Sequence, residues 1–175
     1  MKLPALNTAL DGLHLACIWV AGAAIAAMSL IVPVGVFMRY VLGVGAQWPE
    51  PIAILLMVIF TFVGAAAAYR AGAHIAVAML TDRLPANVRA ACRWLVHLLM
   101  LVVSLFMIVY GTKLCLETMG QTITSLPWMP VGATYAPVPI GGLLTLFFVL
   151  ENLVFGTQHD RAVVVFDHVT DTAEA

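Results

Sequence analysis

One uncharged run, Ile52 to Tyr69, limits what this chain can fold into more than any other feature. Eighteen apolar or near-apolar residues stand in it without a charge. At about 1.5 Å per residue they make a helix of about 27 Å, enough to cross the hydrocarbon core of a bilayer. The flanks differ in kind. Trp48, Pro49, Glu50 and Pro51 precede the run, and Arg70, His74 and Arg83 follow it. Prolines and an acid suit the start of a helix, cations suit its end, and tryptophan suits a membrane–water boundary.

Composition makes the same demand of the whole chain. Of 175 residues, 63% are hydrophobic and only 10% charged, with a mean hydropathy of +1.03. A soluble domain carries about 25% charged residues. A core of this size cannot hide so much apolar surface, so lipid is the solvent that fits. A net charge of −1 leaves no basic face for nucleic acid. Cys17, Cys92 and Cys115 are scattered without a C-x-x-C and read as small apolar fillers.

In chain order, a short mixed start holds Lys2 and Asp11, and Leu13–Met38 then runs 26 residues with His14 as its ionisable group. A secretory signal has an apolar stretch of only about 7–15 residues, so this longer run reads as span one. Pro33 predicts a kink or a loosened outer half. Val41–Ala46 is a Gly-rich turn, and span two follows, with a small-residue face from Gly64 to Ala68 that lets another helix approach. Residues 73–84 are too few to span and read as an interfacial or re-entrant connector. Arg89 and Arg93 open span three, Trp94 sits at headgroup level, and Lys113 and Glu117 at i,i+4 close it. Gly120–Ala136 reads as a polar loop, followed by span four and an acidic tail whose last ten or so residues are expected to be disordered.

The expected architecture is therefore an all-α membrane protein with four transmembrane helices at about residues 13–38, 52–69, 94–116 and 138–155. They form one membrane domain over residues 1–157, with a cytoplasmic tail over 158–175. Six of the eight Lys and Arg residues (Lys2, Arg70, Arg83, Arg89, Arg93, Arg161) fall on one side and only Arg39 and Lys113 on the other. The positive-inside rule then puts both termini in the cytoplasm.

Ionisable groups inside a membrane mark ion or substrate paths, and the span centres read as holding none. Their polar content is hydroxyls, Ser29, Thr61, Ser104 and Thr145, able to bond back to their own helix. Arg39 and Glu50 share a side and can pair or stay solvated. Arg70 and His74 suit capping of the helix C-terminus or contact with lipid phosphates, with phosphate contact the plainer reading for Arg70. His14 and His97 are the candidates if the chain is a four-helix haem cytochrome subunit.

Several short motifs, in order, carry a resemblance. Arg39–Tyr40, W-x-E at Trp48–Glu50, G-A-A-x-A-x-R-x-G-x-H-I through Gly64, Ala68, Arg70, Gly72, His74 and Ile75, and D-R-L-P at Asp82–Pro85 are similar to the small membrane subunit of tripartite ATP-independent periplasmic (TRAP) transporters, the Q-type or DctQ-like subunit. Leu126–Trp128 and Tyr135–Gly141 extend the likeness, which covers Val36 to about Phe155. Pro51 stands where the family commonly has a second acid, leaving Glu50 alone.

The resemblance implies a four-span scaffold subunit of a bacterial inner membrane, without a cofactor, catalytic residue, metal or substrate site of its own. Its implied partners are membrane lipid, a large multi-span (M-type) permease and a periplasmic (P-type) binding protein. Together they would carry organic anions (C4-dicarboxylates, other carboxylates or sialic acids) on a sodium gradient. Arg39, Trp48, Glu50, Gly64, Ala68, Arg70, Gly72 and His74 become candidates for structure or partner contact. The haem subunit and a small homo-oligomeric exporter remain the other expectations.

Overall fold

A computed structural model describes residues 4–71 and 85–155. Its long helices are α1 (Pro4–Tyr40), α2 (Pro49–Arg70) and α3 (Ala86–Thr118). A small antiparallel pair, β1 (Thr122–Ile123) and β2 (Leu126–Pro130), then leads through the short α4 (Val131–Tyr135) into α5 (Pro137–Phe155). Four stretches are long and apolar enough to cross a membrane: Thr8–Tyr40, Pro49–Arg70, Asn87–Thr118 and Val131–Leu153. The predicted connector at 73–84, with Gly72 and His74, and the tail at 158–175 lie outside the described residues.

Local chemistry accounts for where the helices stop. Pro49 opens α2, Glu50 sits in its first turn and Arg70 in its last, so both ends of the helix dipole meet an opposite charge. α1 runs unbroken through Pro33, where the sequence predicts a kink or loosening. Its 37 residues make a rod of about 56 Å, longer than a hydrocarbon core of about 30 Å, so part of it stands outside that core or tilts within it. Each span hydroxyl bonds back to its own helix as expected. Ser29 donates to Ile25 O at 2.9 Å, Thr61 to Met57 O at 2.7 Å, Ser104 to Leu101 O at 2.9 Å and Thr145 to Gly141 O at 2.8 Å.

The helices form a row: α1 packs on α2, α2 on α5, and α5 on α3. The most buried side chains, among them Cys17, Val63, Ala66, Tyr69, Phe148 and Val149, come from α1, α2 and α5, around α2. α5 fits between its neighbours because its first turns carry no side chain there. A Cβ on Gly141 would stand 2.7 Å from Phe62 Cβ of α2, and one on Gly142 would stand 3.0 Å from Met107 Cβ of α3. Backbones that approach this closely compensate for the missing hydrophobic drive between helices in lipid.

The 120–136 stretch corrects the expectation of a plain polar loop. β1 and β2 pair across an irregular register, and Val131 N–H donates to Gln121 O at 2.8 Å. Leu126 is buried, and α4 lies close against the end of α3, where a Cβ on Gly132 would meet Met119. A connection this long satisfies its backbone groups by pairing them with one another.

Candidate functional site

At one end of the row a charge has been taken out of solvent. Arg70, the last residue of α2, is 7% exposed. Its Nε donates to Glu151 Oε2 and its Nη2 to Glu151 Oε1, both at 2.8 Å, a two-pronged contact with α5. The same Nη2 donates to Asp11 Oδ1 of α1 at 2.6 Å. The Glu151 side chain is fully buried, whereas that of Asp11 is 36% exposed. The guanidinium fork matches a carboxylate in plane, the geometry in which an ion pair offsets most of its desolvation.

Aromatic rings and histidines complete the cluster. Phe148, one turn before Glu151, lies 5.5 Å from the Arg70 guanidinium carbon, within the range of cation–π attraction. His14, one turn after Asp11, meets the Phe148 ring edge-on with centroids 6.0 Å apart. It is buried, and its Nδ1 has no hydrogen-bond partner among the described residues. Beside Arg70, the Tyr69 hydroxyl lies 3.1 Å from His97 Nδ1 on α3. Asp11, Arg70, Glu151 and the Tyr69–His97 contact thus tie α1, α2, α3 and α5 together at one end. The same contacts put the start of α1 and the end of α5 on one side of the row.

Two readings of single residues change as a result. Arg70, expected at lipid phosphates, is instead ion-paired inside the protein, because two carboxylates from other helices reach it first. Glu151, inside the fourth apolar run, is an ionisable residue within a span that the reading of span centres passed over. Its position was a usable signal, since an acid in a membrane helix needs a partner and Arg70 was the cation ending another span. Asp11 and the Tyr69–His97 contact carried no such signal, because both depend on which helices become neighbours.

The other candidates are dispersed. Gly64 faces α1, where an added Cβ would lie 3.6 Å from Ala21 Cβ, while Ala68 is exposed. Trp48 stands just before α2 at the opposite end from Arg70. Arg39 and Glu50 line one cleft at that end without forming an ion pair with each other among the described residues. The two histidines considered for haem are held by neighbours, His97 by Tyr69 and His14 by the Phe148 edge.

Four spans locked at one end by a buried guanidinium define a multi-pass membrane protein. The family model for the DctQ component of tripartite ATP-independent periplasmic transporters matches residues 28–158. A Haemophilus influenzae protein described as a TRAP transporter small permease is 25% identical over 130 residues, covering 74% of this chain and 80% of that protein. The ectoine TRAP transporter small permease protein TeaB of Halomonas elongata is 29% identical over 121 residues, 66% of this chain and 62% of its own length. The chain belongs to the DctQ family and is a TRAP transporter small permease subunit.

Proposed function

We propose that this chain is the fixed brace of a sodium-driven TRAP transporter of a bacterial inner membrane. In this reading both termini and the 72–84 segment face the cytoplasm, and the chain holds a large permease subunit in position. That subunit moves an organic anion delivered by a periplasmic binding protein. The observation that carries the reading is the Arg70 lock. A buried, two-pronged ion pair resists the sliding of α2 against α5, and the additional bond to Asp11 secures α1. Such a cluster suits a part that stays still while its partner moves, because exchanging its partners would expose an unpaired charge to a low-dielectric surrounding.

The family and the relatives' names support the transporter setting. The arginines at 70, 83, 89 and 93 support the cytoplasmic assignment through the positive-inside rule. The direct test is reconstitution of the large permease and its binding protein into proteoliposomes with and without this chain. Uptake that follows an inward sodium gradient and requires the chain is the expected result. Full uptake by the other two components alone would refute the brace.

A further inference from the structure

At the end opposite Arg70, α1 and α2 touch where Gly35 admits Pro49, since a Cβ on Gly35 would lie 2.9 Å from Pro49 Cβ. Beside this contact the helices leave a cleft of about 500 Å³. Apolar side chains such as Met28, Val32, Ala53 and Met57 form its walls, and Arg39, Tyr40 and Glu50 also line it. From Met28 to Tyr40 the cleft follows about 18 Å of helix, close to the depth of one leaflet, about 15 Å. Its volume lies within the range of ligand pockets, about 300–1,000 Å³.

Arg39 and Glu50 are both exposed, and among the described residues neither side chain takes part in an ion pair or hydrogen bond. One cation and one anion therefore share an otherwise apolar cleft in a membrane protein, each with its charge available. We propose that this cleft binds one phospholipid of the phosphatidylethanolamine class. Its phosphate meets Arg39, its primary ammonium meets Glu50, and one acyl chain lies along the apolar walls. The acid decides the class. A headgroup with a net negative charge satisfies Arg39 but is repelled by Glu50, whereas one carrying both charges satisfies both residues.

The test is native mass spectrometry of the full chain, stripped of lipid in detergent and titrated with palmitoyl-oleoyl phosphatidylethanolamine or the matching phosphatidylglycerol. One phosphatidylethanolamine should be retained about tenfold more tightly than phosphatidylglycerol, the scale of one charge-assisted contact. Glu50→Gln should abolish that preference while phosphatidylglycerol still binds. Arg39→Gln should weaken both lipids. Ala53→Phe, which fills the cleft and leaves both charges in place, should displace both, with circular dichroism confirming that each variant remains helical. Equal retention of the two lipids by the unmodified chain, or a preference unchanged in Glu50→Gln, would overturn the proposal. So would a disulfide between Ala53→Cys and a cysteine of the large permease in the assembled complex, because the cleft would then hold protein.

Discussion

A guanidinium at the end of a membrane helix can reach outward to lipid phosphates or inward to carboxylates on neighbouring helices, and Arg70 takes the inward course. The choice sets the cost of losing it. Removing one partner of a buried ion pair leaves the other charged and unpaired, at about 3–5 kcal/mol, whereas removing both together is often near neutral. Arg70→Leu and Glu151→Leu should therefore each destabilise the chain by about that amount. The double variant should lose much less than the sum of the two. Denaturant titration in mixed micelles measures all three, and additive losses would show that the two residues do not act as a pair. Asp11→Asn should cost less than Glu151→Gln in the same assay, because Asp11 keeps part of its side chain in contact with solvent. Tyr69→Phe removes the hydroxyl that meets His97 and should cost about 0.5–1.5 kcal/mol.

Helix packing is controlled by which small residues meet which backbones. Gly141 stands where α5 touches α2, with room for no side chain, so Gly141→Val should cost about 1–3 kcal/mol by overpacking. Gly64 lies at ordinary contact distance from Ala21, and Gly64→Ala should be tolerated. Ala68 faces outward, so Ala68→Leu should leave the fold intact. Thermal melts of the three variants in detergent check the order, and a Gly64→Ala loss equal to that of Gly141→Val would contradict it. The helices themselves were legible in the sequence, because runs such as Ile52–Tyr69 have no other stable form in lipid. Their neighbours were not. The sequence points to Gly64 and Ala68 together, but the α2–α1 contact uses Gly64 and leaves Ala68 exposed, since helical rotation is fixed only when α1 and α5 have docked. The hairpin at 122–130 was hidden for a similar reason, its pairing being spread over residues with no alternating pattern.

For the whole molecule, a row of helices leaves a great deal of apolar surface outside, including Leu98, Val102, Phe106 and Val109 along α3. Such a surface suits lipid, and it suits the large permease subunit proposed above as a partner. The lock lies at the end shared by the start of α1 and the end of α5, where Asp11 and Glu151 meet on one guanidinium. If that lock is what lets the subunit act as a brace, its loss must appear in transport and not only in stability. The most direct measurement is sodium-driven uptake by proteoliposomes holding equal amounts of assembled complex, with either the unmodified chain or Arg70→Leu. The expected result is a loss of uptake with Arg70→Leu and substantial recovery with Arg70→Leu combined with Glu151→Leu, which removes the stranded charge. Unchanged uptake with Arg70→Leu in a fully assembled complex would contradict the assignment of the brace to this cluster.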